Sequence, residues 1–472
     1  EKPGAGGGVA LAGTSAGMSV ASGTLSVSGG SAPPTPAGPF DHDLALRVRV
    51  DWNRDGEMTG AYDDVSARVT EAEWSLGMYM PYQEMADEAR LEMTLVNADR
   101  LFTPEYASGP LYGLLAPGAP VLVEMVDGAG NAYTMWRGWV EVIQPSWTPG
   151  GDAAPLYARL VALGGMQHLK VSAVHLDLLQ NVRTDQALAS IFSSVSFPPK
   201  LVGSWRLGVA GASELGVTTR LTDAGGEYAF DRGRVTLSYV GDNWEDADAH
   251  GAILDLVRAE RGRFFFARDG RAIFWNRARL QTSTIPALRL VQYQALEYVY
   301  GANLYNVVRV RVSPRTLSAT ATEVLYELDE PITLRAGQTR TLRASYRQAD
   351  SDAMVAGMDI TPPNTGDGSL AYSGNLSVAF EAGATSAKIT LMNLDGESNK
   401  LSDEATLTAL IVRGRKLTSY GYQDAQATDT ASVVAYGKRM MEVDARLLDR
   451  VEDAETIADW GFALHKAPRG KV

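Results

Sequence analysis

A chain of 472 residues is too long for one ordinary hydrophobic core, so two to four domains are expected. Its 45% hydrophobic and 21% charged residues exclude wholesale disorder, and it has no run of about 18 apolar residues to cross a bilayer. A net charge of −13 argues against a general nucleic-acid-binding surface, while the lack of cysteine removes disulfides, thiolate metal sites and cysteine nucleophiles. An acidic channel is still compatible with that charge, because negative walls repel phosphates and keep DNA from sticking.

The chain begins at Glu1 with no signal-peptide pattern and reads as the ordered part of something longer. Residues 1–40 stand apart in composition. Gly, Ser, Ala and Thr dominate, and Leu11, Met18 and Leu25 recur every seven residues. Gly and Ser at helix positions rule out a coiled coil, so extended segments lying against a partner are expected. Pro33, Pro34, Pro36 and Pro39 then form a stiff spacer. Gly13-Thr-Ser-Ala-Gly17 matches a nucleophile elbow but lacks the strand and helix that the elbow needs.

Residues 41–170 read as a first β-barrel-like domain, with strands expected at Leu44–Val50, Leu91–Val96, Val121–Val126, Tyr133–Ile143 and Leu156–Leu163. Behind the first of these lies Asp51-Trp-Asn-Arg-Asp-Gly56, the opening half of a calcium-binding loop. Asp51, Asn53 and Asp55 supply alternate oxygens, Glu57 a carbonyl, Thr59 a hydroxyl, and Asp63 a late carboxylate. Position 12, where a bidentate Glu belongs, is Tyr62. The same residues also fit an Asx-rich turn that caps its own backbone. Ca²⁺ is the one cofactor to consider.

Residues 171–300 read as an inserted α+β domain. A helix is expected from Thr184 as N-cap, with Leu188, Ile191, Phe192 and Val195 on one face. A second helix carries Ala252, Ile253, Leu256, Val257 and Glu260 and stops at Gly262. Phe264–Phe266, the Asp269-Gly270 turn and Ala272–Trp275 spell a hairpin. Three successive phenylalanines predict a strand covered on both faces. Arg261, Arg263, Arg268, Arg271, Arg277 and Arg279 interleave with these aromatics. They suit either a single-strand stacking platform or a hairpin with outward, salt-bridged arginines, and the net charge favours the second.

Residues 301–415 read as a second β domain with a β-rich insertion, entered through Leu304–Val312, whose Arg-Val-Arg-Val ending echoes residues 47–50. Residues 416–472 form a C-terminal helical segment completing that domain, with helices near Ala431–Met440 and Val451–His465. His42, His168, His175, His250 and His465 are scattered, with neither metal-ligand nor triad spacing, and no carboxylate pair is marked out for glycosidase chemistry. The chain is expected not to be an enzyme.

One series of segments runs in order: Val50-Asp-Trp-Asn-Arg-Asp-Gly56, Tyr62–Val69, Leu91–Asn97 with Asp99-Arg100-Leu-Phe-Thr-Pro104, Pro110–Gly113, Leu115–Gly118 and Trp136-Arg-Gly-Trp139. Gly262–Phe265, Arg268–Arg271, Asn306–Val310 and Tyr436–Arg439 follow. Taken in this order they resemble the hub or tail-tip proteins of long-tailed phages and prophages. The resemblance spans about residues 44–470 and implies a mainly β protein with minor α+β. Such a hub has two barrel-like domains with inserted α+β and β-sandwich-like domains. It further implies a homotrimer forming a pseudo-sixfold ring, with tail tube or distal tail protein above and tip or central fibre proteins below. DNA would pass through the lumen without specific binding. The implied location is the virion tail tip, assembled in the host cytoplasm. The competing reading is a calcium-stabilised β-modular adhesion or carbohydrate-binding protein, in which exposed Trp136 and Trp139 stack on sugars.

Overall fold

In a computed structural model the chain is predominantly β, with short helices between sheets. The structure describes residues 21–26, 44–79, 83–146, 157–195, 212–213, 216–217, 219–223, 226–242, 244, 247–282, 299–300, 304–348, 353–395, 403–466 and 470–471. The elbow-like Gly13–Gly17 and the prolines at 33–39 lie outside them. Two compact units divide the chain: residues 1–172, 195–232 and 261–296 form one, and 173–194, 233–260 and 297–472 the other.

The first unit holds a curled half-barrel of seven strands. In chain order these are β1 (Ala21–Ser26), β2 (Ala45–Val50), β3 (Val69–Leu76), β4 (Arg90–Val96), β5 (Pro120–Val126), β6 (Ala132–Ser146) and β7 (Tyr157–Leu163). They pair antiparallel in the order β1-β3-β4-β7-β6-β5-β2. Alternation fixes the inner face: Val48 and Val50 of β2, and Leu91, Met93 and Leu95 of β4, are buried with Trp52, Phe102 and Trp136. Bulges at Val123/Glu124 and Val140/Val142 bend the sheet, as extra residues do in barrels. Part of the low-complexity leader takes its place here, since β1 lies against β3 of its own chain.

The same unit contains Arg263–Phe266 paired with Ala272–Trp275 around Gly270, whose φ of 84° suits the turn. The doubly covered strand expected from the three phenylalanines is corrected. Phe264 and Phe266 are buried, while Phe265 is half-buried with its ring edge-on to Trp275 at 4.8 Å. A neighbouring aromatic on the same hairpin shields that face.

In the second unit, helices Thr184–Ser194 and Ala249–Glu260 pack together beside the strand pair Leu179–Arg183 and Thr236–Val240. Thr184 is the first helical residue, not a cap, and its hydroxyl donates to Glu260 at 3.0 Å. The buried Glu260 carboxylate also accepts from the backbone of Arg234 and Val235, which satisfies a charge otherwise costly to bury. A six-stranded sheet centred on Ala405–Ser419 faces the sheet of Thr339–Ser345, Ser386–Asn393 and Leu376–Ala382 across a core of Leu325, Tyr346, Ile389, Leu391, Leu407 and Val412. Val307–Val312 is the central strand of a third sheet, between Gln423–Thr428 and Met440–Asp444, with helix Val451–His465 packed on it. The helix expected over Ala431–Met440 covers only Thr430–Tyr436. Gly437 ends it at φ 77° with its N–H on the Val433 carbonyl, and Met440 opens a strand.

Candidate functional site

The segments that carry the family resemblance in the first unit fold onto one another. Beyond β2 the chain turns through Asp51–Gly56 and returns along the free edge of β2. Val50 N–H donates to the Asp63 carbonyl at 2.8 Å and Val65 N–H to the Val48 carbonyl at 3.0 Å. Trp52 drops into the core near Phe102, centroids 6.0 Å apart, while its indole N–H donates to the Tyr62 carbonyl at 3.1 Å. Ser66 Oγ accepts the Val48 N–H, and Asp64 accepts from both Ser66 donors. Arg68 then makes a two-pronged bond to Asp99 at 2.9 and 2.7 Å. Asn97 accepts the Phe102 N–H and donates to Thr103 Oγ1. The Arg68 guanidinium holds the Asp99 carboxyl below the usual carboxylate range.

The expected ligands lie within this fold-back. Asp51 is fully buried; its Oδ2 accepts the Gly56 N–H at 2.9 Å and its Oδ1 has no hydrogen-bond partner. Asn53 Nδ2 donates to Asp55 Oδ2 at 2.7 Å, and Asp55 Oδ1 accepts the Glu57 N–H at 2.8 Å. Asp63 is buried with Oδ2 on the Gly60 N–H, whereas Glu57 and Thr59 are exposed. Burial pushes both the Asp51 and Asp63 carboxyls upward, and the charge of Asp55 adds to both shifts. Among the described residues no group of three or more His, Cys, Asp or Glu side chains converges as a metal cluster. Any ion here would also draw on the Asn53 amide oxygen and backbone carbonyls, the hard oxygen donors calcium takes.

The two Arg-Val-Arg-Val strands are built alike, one in each unit. In β2, Val48 and Val50 point inward, while Arg47 and Arg49 both reach Glu124 Oε2 at 2.9 Å on antiparallel β5. In Val307–Val312, the valines are buried, and Arg309 and Arg311 both pair with Asp424 on the antiparallel strand Gln423–Thr428. Glu124 and Asp424 were not singled out from sequence. Glu124 carried a signal, since it is the lone acid in the apolar run Val121–Val126.

The other candidates resolve into structural roles. Arg261 pairs with Glu84, Arg271 with Asp269, and Arg279 with Asp231, in keeping with the salt-bridged hairpin rather than a stacking platform. Trp136 and Trp139, required to be exposed by the carbohydrate-binding reading, are 0% and 5% exposed. This corrects that expectation. Trp136 packs over Gly138, where a Cβ would sit 2.4 Å from its ring, and Trp139 stands edge-on to His168 at 4.8 Å. His465 is buried edge-on to Tyr305 at 5.5 Å. One cavity in the second unit, lined by His175, Trp244, Arg343 and Thr385, has about 10 Å³, room for a single water. No helix among the described residues is long and apolar enough to cross a membrane.

No family model matches the chain, and no curated protein matches its sequence. Among solved structures it is similar to the 43 kDa tail protein of prophage MuSo2 from Shewanella oneidensis, at 12% identity and a TM-score of 0.30 over 56% of this chain and 63% of that one. A tail protein from Neisseria meningitidis MC58 aligns at 11% identity and a TM-score of 0.27, covering 57% and 64%. A chain of the Francisella PdpA–VgrG complex in its lidded form aligns at 11% identity and a TM-score of 0.30, covering 76% and 54%. The chain thus spans under two-thirds of the length of each of these three proteins, and likeness at these TM-scores carries no argument about role.

Proposed function

We propose that this chain is a structural protein of a phage tail, a hub or tail-tip subunit that assembles as a homotrimer and joins the tail tube to the distal tip. The observation that carries this reading is the paired construction of the two Arg-Val-Arg-Val strands. Each unit has one, each buries its valines, and each ties both arginines to one acid on an antiparallel neighbour. Two like strand settings per chain supply six in a trimer, as a ring matching a sixfold tube to a threefold tip requires. The cross-braced segments Val50–Val69 and Asn97–Pro104 support it further, because their polar side chains are spent on holding a sheet edge and loop rigid. In this reading interfaces do the work, no group reacts, and a chain of net charge −13 forms a lumen that DNA passes without sticking.

Labelling particles with an antibody fragment raised against the folded chain, followed by electron microscopy, tests the assignment. Label confined to the tail tip is expected. Label on the head or along the tube, or unlabelled intact particles that lack the chain, would overturn it.

A further inference from the structure

We infer that the Asp51–Gly56 turn is a calcium site, anchored by the buried Asp51 carboxylate and completed by oxygens of Asn53 and Asp55. The acidic spacing would not carry this without the state of Asp51 itself. Its side chain is fully buried, Oδ2 accepts the Gly56 N–H, the backbone N–H groups of Arg54 and Asp55 also face the carboxylate, and Oδ1 makes no hydrogen bond of ordinary geometry. The Oδ2 bond ties the carboxylate to the backbone of the turn itself. A buried carboxylate oxygen with no donor costs free energy unless a cation meets it.

The two nearest arginines in the chain do not supply that cation. Arg54 is turned away, donating to the carbonyls of Ala116 and Pro117 at 3.1 Å, and Arg49 donates to Glu124. Gly56, at φ 87°, gives the sharp bend that brings position 7 of such a loop back toward the ion. Asn53 and Asp55 are exposed on the open side, where they can swing from bonding each other to bonding an ion. Carboxylate, amide and carbonyl oxygens are a hard donor set that favours Ca²⁺; Mg²⁺ sheds its water reluctantly and demands stricter geometry. The ion would pin the fold-back that covers the edge of β2 through the Val50–Asp63 and Val65–Val48 hydrogen bonds.

The test uses the full chain, stripped with chelator and then titrated with CaCl₂ or MgCl₂ and followed by native mass spectrometry and thermal melting. One Ca²⁺ per chain is expected, with a melting rise of about 3 °C or more at saturating Ca²⁺ and a smaller response to Mg²⁺ at equal concentration. Asp55→Asn, on the exposed side and safe for folding, and Asp51→Asn should each weaken Ca²⁺ binding at least about tenfold, while Asp99→Asn, outside the turn, should not. The inference is overturned if the stripped chain gains neither mass nor melting temperature in millimolar Ca²⁺. It is equally overturned if Asp55→Asn and Asp51→Asn both bind like the parent.

Discussion

Replacing Arg315 should destabilise the second unit more than any surface ion-pair change. Its guanidinium is 1% exposed and donates to Asp449 Oδ1 at 2.6 Å, Asp242 Oδ1 at 2.7 Å and the Leu447 carbonyl at 2.8 Å. The two carboxylates are themselves 9% and 4% exposed. Burial pushes the Asp242 carboxyl up, against the opposing pull of Arg315. Arg315→Met removes that pull from Asp242 and takes the guanidinium away from two buried carboxylates. Breaking one member out of a buried pair costs about 3–5 kcal/mol. At about 2–4 °C per kcal/mol for units of this size, melting should fall by roughly 6–20 °C. The pH dependence has a definite sign. A carboxyl whose folded pKa lies above its unfolded value binds more protons when folded, so stability falls as pH rises past about 4. Arg315→Met should therefore recover part of its loss between pH 7 and about pH 4. Differential scanning calorimetry of parent, Arg315→Met and Arg415→Ala measures this; the last breaks the exposed 3.4 Å pair with Asp359 and should change stability by under about 1 kcal/mol. A loss for Arg315→Met no larger than that for Arg415→Ala, or one that deepens on acidification, would refute the reasoning.

Three further outcomes are expected. Because Arg68 lowers the folded pKa of Asp99, the stability from this pair is fully present above about pH 4 and vanishes as pH falls through the folded value. Arg68→Ala should then differ from the parent by at most about 1 kcal/mol at pH 7 for so exposed a pair, and by nothing near pH 2, in urea melts. Gly138→Ala places a methyl 2.2 Å from the Leu163 carbonyl oxygen and 2.4 Å from the Trp136 ring; since backbone cannot step aside, a loss of about 3 kcal/mol or an insoluble product is expected on expression. Glu124→Ala should cost about 1.5–3 kcal/mol because a nearly buried acid serves two arginines, whereas Asp424→Ala, exposed to solvent, should lie within the range of surface pairs; equal losses by chemical denaturation would contradict the difference in burial.

Strands with uninterrupted alternation were legible in the sequence. β2, β4, β5, β6 and β7 fall within two or three residues of their expected ranges wherever they are described, as do the hairpin around Gly270 and the helix Val451–His465. β3 was not legible, because a bulge between Val69 and Glu71 shifts the inward residues to Val69, Ala72 and Trp74 and breaks the period of two. The short helix Gly165–Val171 gave no signal, being seven residues long with a glycine as N-cap. Phe265 misled because a run of apolar residues does not say which neighbour on the same sheet will shield the odd one. In the candidate site, the order of segments was visible, but their mutual bracing was not. Arg68 and Asp99 are 31 positions apart, and nothing local tells an arginine which acid it will meet. Trp136 and Trp139 show the same limit: tryptophan beside glycine suits an exposed stacking face or a ring folded over the glycine, and Gly138 took the second.

The most direct test of the hub account is the oligomeric state of the chain in solution and its shape by electron microscopy. The account predicts particles of three 50.7 kDa chains forming a closed ring, with a lumen about 20 Å or wider for duplex DNA. A stable monomer that binds glycans at concentrations where tails assemble would contradict it.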